Sequence, residues 1–182
     1  MSKIVIYKTK YGSAKAYARW ISEALGCDMV NAKDIKINDL YEYDTIIYGG
    51  GLYAEVINGV SFITKNLDKL KGKNIIVYSV GITPLECRDY YDKLVLEKNF
   101  RPEMLSKIKV YNFLGKMIID ELSLPHKMAL KSLKKIMSGK ENPTEMEKLL
   151  ITLCDADDDF SNKDDIKELI DYVNQKQHLE IV

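Results

Sequence analysis

The residues most suited to chemistry form a short segment, Thr9-Lys10-Tyr11-Gly12-Ser13, which separates two apolar patterns. The β-branched and aromatic run Ile4–Tyr7 before it predicts a buried strand, and the apolar spacing of Ser13–Leu25 after it predicts a helix. Backbone N–H groups and the dipole at a helix N-terminus attract anions. Together with the hydroxyls of Thr9 and Ser13, they predict a phosphate-binding loop.

Two other predicted strands also end in small residues, Gly49-Gly50-Gly51 and Ser79-Val80-Gly81. Glycine lets a backbone lie close to a planar ring, and Leu52 and Tyr53 follow the first of these loops. Ligands of open parallel sheets bind beyond the carboxyl ends of the strands, at the topological switch point. If the three strands are neighbours, their loops converge on one crevice that suits a phosphorylated planar ligand. For any single loop, a plain glycine turn is the alternative interpretation.

Strands and helices alternate along the chain, and this arrangement can bring the loops together. Strands are predicted at Lys3–Lys8, Asp28–Val30, Tyr43–Gly50, Asn74–Gly81 and Lys107–Gly115. Helices are predicted at Ser13–Leu25, Gly59–Leu70, Glu86–Glu97 and Asn162–Gln175, the last with Ser161 as its N-cap. Strands that are apolar almost throughout predict a parallel sheet with helices on both faces. No repeat or linker interrupts the pattern, so residues 1–182 are expected to form one α/β domain.

Composition and charge disfavour several classes of function. The 27 basic residues balance 27 acidic residues, so no overall charge favours nucleic acid as a partner. Cys27, Cys87 and Cys154 are far apart and the histidines lack metal-ligand spacing, so we expect reduced thiols and no metal site. The first predicted strand begins at Lys3, which leaves no room for a signal peptide, and no apolar run has the length of a membrane span. A cytoplasmic protein is therefore expected.

The first loop is neither a Walker motif nor a GxGxxG fingerprint, but it resembles the phosphate loop of flavodoxins. The glycine-ended third strand and the Ser79-Val80-Gly81 loop are similar to the two flavodoxin loops that hold the isoalloxazine ring of FMN. The resemblance implies a flavodoxin-like, doubly wound, five-stranded parallel sheet, non-covalent FMN and electron transfer at the flavin. It places Thr9, Lys10, Tyr11, Gly12, Ser13 and Ala14 at the phosphate, and Gly50, Gly51, Leu52, Tyr53, Val80, Gly81 and Ile82 at the ring.

One position of the phosphate loop departs from the flavodoxin pattern. Flavodoxins usually have threonine where this chain has Ala14, so one hydrogen bond to the phosphate is missing. A hydrogen bond to a charged group contributes about 1.5–3 kcal/mol. The resemblance therefore implies FMN binding that is weakened rather than abolished. A binding or regulatory module that has lost FMN is the hypothesis that Ala14 favours.

A basic amphipathic stretch follows the fifth predicted strand, in an extension that covers residues 116–141. One helical face carries His126, Ala129, Leu130, Leu133, Ile136 and Met137, and the opposite face carries Lys127, Lys131, Lys134 and Lys135. One interpretation is a surface helix that packs its apolar stripe on the sheet. The other is a lid or docking element, in which residues 126–140 meet an anionic membrane surface, an acidic partner or a carboxylate-bearing substrate.

The extension resembles that of the menaquinone-dependent protoporphyrinogen oxidase branch of the flavodoxin superfamily. This resemblance implies an FMN-dependent oxidoreductase that takes hydrogen from a large reduced tetrapyrrole and passes electrons to a quinone. The alternative is a non-enzymatic electron carrier for ferredoxin-type partners. Carrier flavodoxins are strongly acidic, which steers them to basic partners, whereas this chain has no net charge.

Overall fold

The computed structural model describes residues 2–82 and 88–179, and within these ranges five parallel strands form the central sheet. The strands are β1 (Lys3–Lys8), β2 (Asp28–Asn31), β3 (Thr45–Tyr53), β5 (Asn74–Gly81) and β6 (Ile108–Leu114), in the order β2-β1-β3-β5-β6. The two-residue strand β4 (Val56–Ile57) pairs antiparallel with the end of β3. The chain proceeds from β1 outward to β2 on one side and to β3 on the other, so the switch point lies between β1 and β3. The flavodoxin-like class is confirmed.

Helices cover the sheet on both faces, and each face has its own apolar core. On one face pack α1 (Ser13–Leu25) and α7 (Lys167–Leu179), through a cluster that includes Tyr17, Ile21 and Leu169. On the other face pack α2 (Ser61–Thr64), α3 (Arg88–Asn99) and α4 (Pro102–Leu105). The central strands contribute alternate residues to the two cores, because successive side chains of a strand point to opposite faces.

The first strand and helix lie where the sequence predicts them, and local signals explain their bounds. Residues Ile4, Val5 and Ile6 are all buried, as expected for a strand between two helical layers. Helix α1 ends at Gly26, which adopts the left-handed conformation at φ 59° and donates its N–H to a carbonyl of the last turn.

The predicted helix Gly59–Leu70 is largely wrong. Only Ser61–Thr64 is α-helical, and the remainder consists of successive turns that end at Gly72. These turns are closed by bonds such as Asn66 N–H to Ile63 O and Lys69 N–H to Asn66 O. The apolar side chains at positions 60, 63, 67 and 70, which recur at intervals of three and four residues, are all buried. The spacing of the apolar residues thus predicts the buried face but not the backbone that presents it.

Two other helix predictions differ from the structure at their starts. Helix α3 begins at Arg88, and the first residues predicted for it, 86 and 87, lie outside the described ranges. The 3₁₀ turn Lys163–Ile166 precedes α7. Its N-cap is Asn162, whose side chain accepts the N–H of Asp164. Ser161 is therefore not the N-cap. Among the described residues, no helix has both the length and the hydropathy needed to cross a bilayer.

The extension after the fifth parallel strand is longer than residues 116–141. It begins at β7 (Lys116–Met117), which pairs antiparallel with β8 (Asp158–Asp159). The chain between these strands, residues 118–157, forms two helices that pack on each other, α5 (Leu124–Ser138) and α6 (Glu145–Leu153). We call residues 118–157 the insert. No residue of the insert belongs to either sheet core within the described ranges.

Candidate functional site

A cavity of about 520 Å³ lies at the carboxyl ends of β1, β3 and β5. Ten of the thirteen residues predicted for the site line it: Thr9, Tyr11, Ser13, Ala14, Gly51, Leu52, Tyr53, Val80, Gly81 and Ile82. The three loops therefore meet at one place, as the position of the switch point requires. Lys10 and Gly12 are not part of the cavity wall, and Gly50 is buried inside β3. A Cβ on Gly50 would lie 2.7 Å from the carbonyl oxygen of Asn58.

The first loop presents the N-terminus of α1 to one end of this cavity. Gly12 precedes the helix at φ 96°, no side chain caps the first turn, and no acidic residue lies within it. The first N–H groups of a helix have no partner within the helix, so this end is suited to an anion. The hydroxyl oxygen of Thr9 accepts the N–H of Gly12 at 2.9 Å, and that of Ser13 accepts the N–H of Lys116 at 3.2 Å. Each hydroxyl keeps a proton that it can donate to a ligand.

A β-hairpin forms a second wall of the cavity. In this hairpin β3 continues beyond the glycines to Tyr53 and turns at Ala54 and Glu55 into β4. Both turn residues have left-handed backbone angles, at φ 47° and φ 60°, which non-glycine residues rarely adopt. The side chain of Asn99 holds the turn by donating to Glu55 O at 2.6 Å and accepting from Ile57 N–H at 2.8 Å. The glycines Gly49–Gly51, which were predicted to form a loop, therefore belong to the paired strand β3. The turn follows them at Ala54 and Glu55.

The far wall is apolar and comes from the insert, which the strand-end rule does not reveal. It is formed by Met117 of β7 and by seven residues of the insert, Leu122, Ala129, Leu130, Leu133, Leu150, Leu153 and Cys154. The start of helix α6 has a capping box, which can be recognised in the sequence. The Thr144 hydroxyl accepts the N–H of Glu147, and the Glu147 carboxylate accepts the N–H of Thr144. The cavity therefore has a polar end at the first loop and an apolar chamber beneath α5 and α6.

Helix α5 is oriented much as its amphipathic pattern predicts. His126, Ala129, Leu130 and Leu133 line the cavity and Met137 is buried, so the helix covers the cavity rather than the sheet. The prediction is wrong for Ile136, whose side chain is 65% exposed.

The lysines of α5 divide into paired and unpaired members. Lys127 and Lys134 form ion pairs with Asp120 and Asp155. Among the described residues, Lys131 and Lys135 have no hydrogen bond or ion pair with another side chain. These two ammonium groups therefore remain available to an external partner.

Four polar side chains join the first loop to the start of α5, and we call them the loop–insert cluster: Lys10, Tyr11, Ser123 and His126. The hydroxyl of Tyr11 lies 2.7 Å from His126 Nδ1 and 3.1 Å from Ser123 Oγ, and it accepts the N–H of Ser123 at 3.2 Å. Lys10 Nζ lies 3.2 Å from Ser123 Oγ and 3.5 Å from His126 Nε2. The sequence gives no hint of this contact, because its halves are separated by more than 110 residues.

The electrostatics of the cluster favour negative charge. Burial opposes ionisation of Tyr11, but its hydrogen bonds with Ser123 and the charge of Lys10 lower the pKa of the phenol below its usual value. The rings of Tyr53 and His126 pack with their centroids 5.4 Å apart, so the hairpin wall also reaches the cluster. The polar end of the cavity is therefore lined by the hydroxyl groups of Thr9, Tyr11 and Ser13 and by His126.

Comparisons with known proteins identify a family to which the sequence is similar. A family model described as a flavodoxin domain matches residues 4–145. Oxidised Flavodoxin 2 from Bacillus cereus is 16% identical, with a TM-score of 0.38 over 62% of this chain and 84% of that one. A flavodoxin described as a WrbA-like protein, from Agrobacterium tumefaciens, is 15% identical, with a TM-score of 0.38 over 68% and 86%. A Fusobacterium nucleatum flavodoxin mutant bound to flavin mononucleotide is 17% identical, with a TM-score of 0.37 over 65% and 71%. No curated protein sequence matches the chain.

Proposed function

Because the chain belongs to the flavodoxin domain family, we propose that it is a redox protein that binds FMN non-covalently in the cavity. The observation that carries the proposal is the convergence of the three strand-end loops on one cavity of about 520 Å³. This volume is within the range of about 300–1,000 Å³ that is usual for ligand pockets.

The residues present fit FMN at both ends of the cavity. The phosphate would be held at the uncapped N-terminus of α1, by backbone N–H groups and by the hydroxyls of Thr9 and Ser13. The ring would be held between the hairpin wall, with Leu52 and Tyr53, and the end of β5, with Gly81 and Ile82. Bound FMN supplies the electron-transfer chemistry. The protein residues bind it, orient it and exclude water from it.

We favour an oxidoreductase over an electron carrier because the insert covers one side of the cavity. A carrier needs an exposed flavin edge for its protein partner, whereas α5 and α6 cover this cavity with leucine side chains. The apolar chamber suits a large substrate with extensive apolar surface. A quinone has this chemistry, and so do the pyrrole rings of a reduced tetrapyrrole such as protoporphyrinogen, whose two carboxylates would lie outside the apolar chamber. A soluble carrier for ferredoxin-type partners is the alternative, and it predicts no turnover of small molecules.

The strength of phosphate binding can be tested at Ala14, which is buried and lines the cavity. We expect Ala14→Thr to bind FMN about 10- to 100-fold more tightly, because a new hydroxyl contributes about 1.5–3 kcal/mol when it bonds a charged group. Fluorescence titration of FMN gives the dissociation constants of both proteins.

Ala14→Val is the matched control for this substitution. Valine has nearly the shape of threonine but no hydroxyl, so it reports any effect of the added volume alone. Equal FMN affinities for the Thr and Val variants would contradict phosphate binding at the start of α1.

The outward face of α5 supports a further part of the proposal, peripheral contact with an anionic membrane. Leu124 and Met128 are 70% and 62% exposed, and they lie on the same outer side of the helix as Lys131 and Lys135. Exposed apolar side chains beside unpaired lysines are typical of helices that lie in a lipid interface. A membrane at this face would place a quinone source beside the apolar chamber.

The membrane contact predicts selective binding to vesicles. We expect co-sedimentation with vesicles that contain phosphatidylserine and not with pure phosphatidylcholine vesicles. Leu124→Ser with Met128→Ser should weaken this binding at least about tenfold, because burying each apolar side chain contributes about 1.5–3 kcal/mol. Binding that is unchanged in the double variant would remove the membrane from the proposal.

A further inference from the structure

We propose that Tyr11 is a positioning residue, whose hydroxyl fastens the insert to the first loop and so holds the apolar wall of the cavity in place. The proposal rests on the proposed function, because the substrate is expected to lie against that wall. It goes further by assigning the placement of the wall to one hydroxyl group. The contact joins the loop expected to hold the phosphate to the segment expected to hold the substrate.

The insert has little apolar packing of its own to keep it against the sheet. Residues 118–157 are all described by the structure, and only Met137 and Cys154 among them have buried side chains. The base of the insert, where β7 meets β8, consists of two residue pairs. Segments with few buried apolar contacts open locally at low free energy. A contact beyond the base can therefore decide what fraction of molecules has the insert in place.

The hydroxyl of Tyr11 supplies such a contact, through three hydrogen bonds. It accepts the N–H of Ser123 at 3.2 Å, and it lies 3.1 Å from Ser123 Oγ and 2.7 Å from His126 Nδ1. An ammonium group only donates, so the contact from Lys10 Nζ makes His126 Nε2 an acceptor and assigns the ring hydrogen to Nδ1. The hydroxyl then accepts two hydrogen bonds and donates its proton to Ser123 Oγ. Its bonding capacity is used by the insert rather than by a ligand.

The contact lies where three walls of the cavity meet. The ring of His126 packs with its centroid 5.5 Å from that of Tyr11 and 5.4 Å from that of Tyr53. Leu130 and Leu133 follow His126 on the same face of α5, one and two turns further along, and both line the cavity. Because a helix moves as one body, the contact that orients His126 also orients these two leucines.

Amide hydrogen exchange of the flavin-free protein measures how firmly the insert is held. The variants are Tyr11→Phe, His126→Phe and the double variant, since phenylalanine keeps an aromatic ring and removes the bonding atoms. We expect the amides of α5 to exchange at least about tenfold faster in Tyr11→Phe, with those of β1, β3 and β5 unchanged. The double variant should exchange little faster than Tyr11→Phe, because both changes break the same contact. Ser132→Ala, on the exposed side of α5, is the control and should change nothing.

Two further measurements separate positioning from a general structural role. The FMN dissociation constant of Tyr11→Phe should stay within about threefold of the wild-type value, because the substitution keeps the backbone N–H and removes a hydroxyl that the insert already occupies. The KM for protoporphyrinogen, with a quinone acceptor, should rise at least about twofold with kcat retained. Apparent affinity falls with the fraction of molecules that have the wall in place.

Each contrary outcome overturns a defined part of the account. Unchanged exchange in α5 of Tyr11→Phe overturns the proposal, and so does exchange that accelerates equally in the sheet strands. FMN binding at least about tenfold weaker with α5 exchange unchanged would assign the hydroxyl to the ligand instead. A wild-type KM despite faster exchange in α5 overturns the positioning role. A wild-type protein that does not bind FMN overturns the proposed function, whereas the exchange comparison still decides whether Tyr11 holds the insert.

Discussion

Replacing Gly49 by alanine is expected to lower the free energy of unfolding by about 3 kcal/mol, at the upper end of the range for overpacked cores. An added Cβ would lie 1.8 Å from Cζ of Tyr78, a side chain that is fully buried. The ring cannot move aside, because its hydroxyl donates to the carbonyl oxygen of Ala14 at 2.9 Å. The same contact ties β5 to the first turn of α1, so strain there also reaches the phosphate end of the cavity.

Urea denaturation of the wild type and of four variants, Gly49→Ala, Gly51→Ala, Tyr78→Leu and the double variant Gly49→Ala with Tyr78→Leu, measures the effect. Gly51→Ala is the matched control in the same strand. Its Cβ would first meet the hydroxyl of Tyr53 at 3.1 Å, so the substitution should cost less than about 1 kcal/mol. A double variant with Tyr78→Leu should lose less stability than the sum of the single variants, because leucine vacates the space. Additive losses would show that the two residues do not compete for volume.

The second large effect is expected when the insert is removed. Residues 118–157 can be replaced by Asn-Gly, because Met117 and Asp158 pair across the base of the insert and a two-residue turn can join such strands. The sheet cores contain no insert residue within the described ranges, so the thermal midpoint should change little. The proposed oxidoreductase function predicts that, at saturating FMN, oxidation of a reduced tetrapyrrole with a quinone acceptor falls at least about a hundredfold in the deletion variant, because the substrate loses its positioning walls.

Oxidation of the reduced protein by ferricyanide is the control for this deletion. A small acceptor does not need the apolar chamber, so its rate should not fall. Tetrapyrrole turnover that survives deletion at the wild-type rate would contradict the role of the insert as a substrate wall. Loss of both activities would indicate damage to the flavin site itself.

The part of the fold nearest the site follows from local sequence. Strand β1, helix α1 and strand β5 have the bounds that periodicity and glycine positions predict. In each of these three segments the spacing of the apolar residues is compatible with only one type of secondary structure. The turns after Thr64 are different, since their apolar spacing of three and four residues suits either a helix or a series of turns. Gly59 at φ 74°, the turn bonds around Asn66 and Gly72 at φ 83° favour turns there.

The candidate site was predictable on its sheet side and unpredictable on its insert side. Strand-end loops must meet if their strands are neighbours, so Tyr11, Gly51 and Gly81 could be placed together from the sequence. The contact between Tyr11 and His126 depends on how the insert packs against the first loop, and no local sequence pattern specifies that packing. The hairpin turn at Ala54 and Glu55 also lacks the Asn-Gly or Asp-Gly signal that usually announces such a turn.

Titration of the purified, flavin-free protein with FMN is the most direct test of the central claim. The account predicts saturable quenching of flavin fluorescence with one FMN per chain. It also predicts that a large apolar side chain introduced at Gly81 occupies the space of the flavin and prevents its binding. A Cβ there would already lie 3.1 Å from the side chain of Leu52, so Gly81→Leu should abolish the quenching. Fluorescence of FMN that is unchanged by the wild-type protein at any concentration would contradict the assignment of the cavity to a flavin.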